Sequence, residues 1–184
     1  FHLRMAANPP LDELKDPVPL PNEVFVLKRP GITFDGEVEG VHYRLRGSAV
    51  LSNLRVVFVA EEESPLAAVD LPLANTRQEK FNQPIFGCNH MTGVTLPING
   101  GNIHSAIQWS LEFREGGVGT WLPFFYTLLK RMREHMEELR VAATAQAGSD
   151  SVPATSSARA VESMVKQAYV DPNDPSTLYL QTDS

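Results

Sequence analysis

Cys88 and His90 stand one residue apart in the segment FNQPIFGCNH (81–90). A thiolate beside an imidazole can hold zinc or serve as an activated nucleophile. Neither chemistry finds its remaining parts. Cys88 is the only cysteine, and the other histidines (His2, His42, His104 and His135) form no ligand spacing. No G-x-S-x-G elbow occurs, nor a Cys/His pair at a recognised family spacing. Cys88 therefore reads as a structural thiol, buried or half-buried. The pairs Gly100-Gly101 and Gly116-Gly117 read as hairpin turns, not as phosphate loops ahead of a helix. The expectation is a non-enzymatic chain with no metal and no cofactor.

Lys28, Arg44 and Arg46 are the residues with anion chemistry. An inositol phosphate needs several cationic donors converging on a loop-rimmed pocket. The segment between them carries Asp35, Glu37 and Glu39, which repel the same phosphates. The plainer reading is a solvated strand face with charge pairs, and the sequence favours it. Bulk charge points the same way. The chain holds 16 Lys/Arg and 22 Asp/Glu, a formal charge of −6, which argues against direct nucleic-acid binding. Residues 22–147 carry only two more acids than bases, so a local basic patch stays open.

These residues need elements to position them. EVFVLK (23–28) reads as a strand ended by Arg29-Pro30-Gly31 in a type II turn. VHYRLRGSAVL (41–51) alternates, with Tyr43, Leu45, Ala49 and Leu51 on one face and His42, Arg44, Arg46 and Ser48 on the other. LRVVFVA (54–60), AAVDLPL (67–73) and TGVTLPI (92–98) read as further strands. SAIQWSLEF (105–113) is the strongest, placing Ile107, Trp109, Leu111 and Phe113 on one face. Arg114 to Gly117 reads as a hairpin turn into a last strand, VGTWL. From Pro123 the period changes: Phe125, Leu128, Leu129, Met132, Met136 and Leu139 form a helical stripe, with Pro123 in the first turn. The plan is about seven strands followed by one amphipathic helix. Strands do not alternate with helices, which excludes an α/β barrel.

The ends read differently. Residues 1–21 form an extended, proline-rich arm in which Met5 reads as the natural start and FHLR as a leader. Residues 22–147 form the domain, and 148–184 a flexible linker and a docking segment. A short helical piece, AVESMVKQAY (160–169), precedes VDPNDPSTLYLQ. Tyr169, Val170, Leu178, Tyr179 and Leu180 are apolar anchors stranded beyond the linker, placed to fold back or to bind a partner. The longest apolar run, WLPFFYTLL (121–129), is too short to span a bilayer. One cysteine and no N-x-S/T sequon suit the cytosol or nucleus.

RGSAVLSNLRVVFVA (46–60) resembles the strand–turn–strand signature of the GRAM domain, including an Arg near the start of its second strand. FNQPIFGCN and SLEFREGG resemble further segments of the WW domain-binding protein branch of that family. Met5-Ala6-Ala7-Asn8-Pro9 and AYVDPNDPSTLYLQ resemble the two ends of its plant and algal members. The resemblance implies a pleckstrin-homology-like β-sandwich or barrel capped by one helix. It also matches Lys28, Arg44 and Arg46 to a phosphoinositide pattern, a Lys ending the first strand and Arg-x-Arg on the second. FNQPIF would cross between two sheets, with Phe81, Ile85 and Phe86 anchored in the core and Pro84 breaking the pairing. Animal members carry Pro-Pro-x-Tyr motifs that bind WW domains. Here Pro9-Pro10 is followed by Leu11-Asp12, which argues against WW binding. The functional expectation is an adaptor that binds protein partners through surface loops and its tail. The alternatives are recognition of an anionic lipid head group at a membrane surface, a transcriptional coactivator role, and a structural subunit of a larger assembly.

Overall fold

A computed structural model describes residues 5–146 and, as backbone, two strands at 168–171 and 174–180. Seven strands, β1 (Phe25–Val38), β2 (Val41–Ser52), β3 (Arg55–Ala60), β4 (Ala68–Pro72), β5 (Thr76–Asn82), β6 (His90–Thr95) and β7 (Ile107–Phe113), precede α1 (Val118–Gln146). They form one antiparallel sheet in the order β4-β3-β2-β1-β7-β6-β5. The two edge strands, β4 and β5, are joined by only three residues, the 3-10 turn Leu73–Asn75. Its edges must therefore converge, and the sheet curls into a half-barrel. Thr76 Oγ1 donates to the Pro72 carbonyl across that junction at 2.9 Å.

Apolar alternation on the strands fills the barrel. Ile107, Trp109, Leu111 and Phe113 of β7 all enter the main core, because period-2 spacing puts them on one face. Phe34 stacks on Phe58 with centroids 5.2 Å apart. α1 closes the barrel with Trp121, Phe125, Leu128, Leu129 and Met132, and Trp121 meets Phe113 edge-on at 5.9 Å. β3 is buried on both faces. Val56, Phe58 and Ala60 join the main core, while Val57 and Val59 join a smaller cluster beneath Leu11 and Phe25.

The count of seven strands is as expected, but its membership is not. VGTWL is the start of α1, not a strand. Gly116 and Gly117 both have positive φ, +72° and +81°, and they end β7 and lead directly into the helix. The expectation that neither glycine pair precedes a helix is therefore wrong for this one. Pro123 lies six residues into the helix, not in its first turn. The helix also continues to Gln146, past Leu139, the last residue of the expected stripe. Along it Met136 and Leu139 are each 43 % exposed, and Met132 is the last of the stripe to be buried.

β5 supplies the seventh strand. Its sequence, TRQEKFN, lacks alternation because it is an edge strand carrying charges, a common guard against edge pairing. At the centre of the sheet order, β1 does not stop at Arg29-Pro30-Gly31. It runs through as a bulge, with a register shift between Arg29 and Ile32 and Gly31 at φ +66°.

Candidate functional site

The bulge in β1 decides where the three candidate cations go. Lys28 lies near the start of β1 opposite Val50, whereas Arg46 and Arg44 lie opposite Thr33 and Asp35 farther along. The expected arrangement, a Lys at the end of the first strand, does not form. Lys28 Nζ pairs with Asp16 of the arm at 2.5 Å. Arg44 pairs with Asp35 and, at 2.7 Å, with Glu112. Arg46 reaches Glu115 at 3.0 Å, and Arg114 shares Glu112 at 2.6 Å. The strand face thus holds three arginines against three carboxylates. The hydrogen bonds it donates to Asp35 and then Glu112 hold the Arg44 guanidinium above its usual pKa. Lys28 also lines a cavity of about 350 Å³ with Lys15, Gly31, Gly47, Glu61 and Glu115, again two cations facing two acids. At the β1–β2 turn, Glu39 accepts backbone N–H bonds from His104 (2.6 Å) and Ser105 (3.1 Å), which hold its carboxyl below the usual range.

The loop between β5 and β6 overturns one expectation. Phe81 packs against the core from β5, opposite Met91. Ile85 and Phe86 do not: they are 94 % and 91 % exposed. The segment joins two neighbouring strands of one sheet, so it never crosses the interior. Gln83 to Asn89 carries no charged side chain, and the tip is shaped by Pro84 and by Gly87 at φ +109°. The tip thus presents two large apolar side chains to water.

Cys88, just beyond the tip, is half-buried, and its carbonyl lies 3.2 Å from His90 Nδ1. Among the described residues no three His, Cys, Asp or Glu side chains come together as a metal site.

The tail residues Ala168 and Tyr169, expected at the end of a helix, lie in β8 (Ala168–Asp171), which pairs antiparallel with β9 (Asp174–Leu180). Tyr169 is opposite Tyr179, and Val170 opposite Leu178, with Leu180 opposite Ala168. The expected linker, 148–160, and most of the helical piece lie outside the described residues.

One cluster had no sequence signal beyond the Arg of the resembling segment. Arg55 is 2 % exposed at its side chain and holds two buried carboxylates. It meets Glu23 through Nε (2.8 Å) and Nη2 (2.9 Å), and Asp70 through Nη1 (2.8 and 2.9 Å). Nη2 also donates to the Val18 carbonyl at 2.9 Å. Arg55 therefore ties the arm to β4. Burial pushes the Asp70 carboxyl up to about 6 despite the attraction of Arg55.

No family model matches the chain. Over 90 residues it is 31 % identical to the UPF0664 stress-induced protein C29B12.11c of Schizosaccharomyces pombe. That match covers 48 % of this chain and 52 % of the relative, so the chain spans about half the length of the curated protein it matches. Among solved structures it is similar to the Vps36 N-terminal PH domain, with a TM-score of 0.52 at 10 % identity. The match covers 66 % of this chain and 90 % of that domain. With seven antiparallel strands curled into a half-barrel and a helix closing it, the chain has a pleckstrin-homology-like fold.

Proposed function

We propose that the chain is a non-catalytic adaptor of the GRAM type, related to the WW domain-binding protein family, that binds protein partners through surface loops and its C-terminal tail. The observation that carries this reading is the uncharged β5–β6 loop with Ile85 and Phe86 standing in solvent. A convex apolar tip stiffened by proline loses little entropy on entering a partner's pocket, and buried aromatic anchors dominate protein interfaces. The charge balance favours a protein over a phosphoinositide. Every candidate head-group cation already faces a carboxylate, and the chain as a whole is at −6. No helix among the described residues is long and apolar enough to cross a membrane.

The tail supplies a second surface. A two-stranded hairpin is marginal alone, so β8–β9 needs a surface to rest on, with Tyr169, Val170, Leu178, Tyr179 and Leu180 as its apolar anchors. The single half-buried thiol, Cys88, fits a reducing compartment.

The test is affinity capture from cells, comparing the native chain, Ile85→Asp/Phe86→Asp, and a chain ending at Ala147. Each change should remove bound protein while the fold survives. Salt-sensitive binding to phosphoinositide vesicles, lost in Arg44→Ala/Arg46→Ala, would instead establish the lipid reading.

A further inference from the structure

Residues 5–8 lie on the molecule as a bound peptide would. Ala7 pairs antiparallel with Val69 on the outer edge of β4. The Asp70 N–H donates to the Ala6 carbonyl at 2.9 Å, and the Asn8 N–H donates to the Ala68 carbonyl at 2.8 Å. Met5 is 0 % exposed and belongs to the main core. Its backbone crosses Gly101, where any Cβ would collide with the Met5 carbonyl.

The neighbouring side chain reads backbone. Asn102 accepts from the Ala7 N–H through Oδ1 (2.8 Å) and donates to the Ala7 carbonyl through Nδ2 (2.9 Å). One amide thus satisfies both polar groups of a single extended residue. Asn8 answers in kind: its Oδ1 accepts from the Ala67 N–H at 2.7 Å, and its Nδ2 donates to the Pro65 carbonyl at 2.9 Å. The groove therefore has a deep pocket for one long apolar side chain, a ladder for extended backbone, and a slot for an asparagine. Main-chain bonds to a sheet edge with pockets for particular side chains are the mode by which sheets bind extended peptides.

The segment is also built to leave. Pro9-Pro10 follows at once and stops the ladder. Asn8 sits at φ +54°, in the left-handed region that asparagine adopts more readily than other non-glycine residues, and there the chain turns off the edge. The Asn102 and Asn8 side-chain contacts on Ala7, Pro65 and Ala67 lie at the solvent surface.

We propose that this β4-edge groove is a docking site for an extended segment of a partner protein, of the form Met-small-small-Asn, which residues 5–8 occupy in cis as a tethered competitor. This deepens the adaptor reading and rests on it for the occupant being a protein. The peptide test below and the capture experiment use different variants, so either can fail alone.

The probe is the labelled peptide MAANPPLD, added to the full chain and to the full chain with Met5→Asp/Asn8→Ala, which disarms the cis segment. A short tether holds its end at millimolar effective concentration. The disarmed chain should therefore bind the peptide at least 100-fold more tightly than the native chain, and adding Asn102→Ala should cost at least tenfold. A folded disarmed chain that ignores the peptide, or equal binding by both chains, overturns the proposal. A concentration-dependent dimer of the native chain would assign the groove to a second copy and also overturn it. Hydrogen exchange on the native chain decides the matter should the disarmed chain fail to fold. The Asp70 amide, which donates to Ala6, should exchange at least 100-fold faster than the Phe58 amide in β3. Equal rates would mean that the arm leaves only when the whole domain unfolds, and the groove is then a permanent seam.

Discussion

Arg55 shows how much one residue can bind together. Its guanidinium faces Glu23 from the arm side, Asp70 from β4 and the Val18 carbonyl, all away from water. Removing it leaves two buried carboxylates without a countercharge, so Arg55→Ala should cost about 3–5 kcal/mol in chemical denaturation. A loss below about 1 kcal/mol would mean that water reaches the site. Burial, with a smaller push from the Glu23 charge, outweighs the attraction of Arg55, which is why Asp70 holds its proton up to about pH 6. Between pH 4 and 6 the folded chain keeps a proton on Asp70 that the unfolded chain, at its ordinary 3.8, has released. Acidification through that window should therefore stabilise the native chain relative to Asp70→Asn, measured by urea titration at each pH. The opposite slope would contradict the burial of Asp70. The surface arginines behave differently: Arg44→Ala/Arg46→Ala removes exposed pairs and should change stability by no more than about 1 kcal/mol per pair.

Among the elements, β7 was legible and β5 was not. SAIQWSLEF alternates without interruption because one face of β7 lies wholly in the core. β5 is an edge strand with a bulge at Gln78, φ +55°, and its polar residues follow from exposure rather than from any strand pattern. The end of β7 was misread for a related reason. A glycine pair after a strand suits a hairpin, and only the spacing of Trp121 with Phe125 and Leu128 carries the helix period back to Val118. The candidate cations were legible as types. Their partners across β7 and in the arm were not, because pairing Arg44 with Glu112, 68 residues away, requires β2 and β7 to flank β1 in one sheet. Ile85 and Phe86 were placed in the core by the family resemblance, and nothing local says that their loop never crosses the interior. Two variants separate these cases. Trp109 is buried, and its Nε1 donates to Thr95 Oγ1 at 2.9 Å, so Trp109→Ala should cost about 3–5 kcal/mol. Ile85→Asp/Phe86→Asp should change stability by no more than about 0.5 kcal/mol per site, as exposed positions do. A large loss in the second variant would mean that the loop packs on the domain.

At the scale of the whole molecule, the proposed adaptor function assigns binding to the loops, the arm and the tail around a curled sheet closed by one helix. The strand faces are occupied by core or by balanced charge, so recognition falls to what protrudes. The tail hairpin extends this logic, and hydrogen exchange should show protection in β8 and β9 whenever a surface is available to them. Exchange there as fast as in free peptide, alone and in recovered complexes, would remove the tail from the binding apparatus. The most direct measurement of the central claim is quantitative affinity capture with the native chain and with Ile85→Asp/Phe86→Asp, both verified as folded. Proteins captured by the native chain should be lost or fall at least tenfold with the variant, while neither chain sediments with phosphoinositide vesicles. The same proteins recovered in the same amounts by both chains, together with salt-sensitive sedimentation on those vesicles, would contradict the adaptor reading.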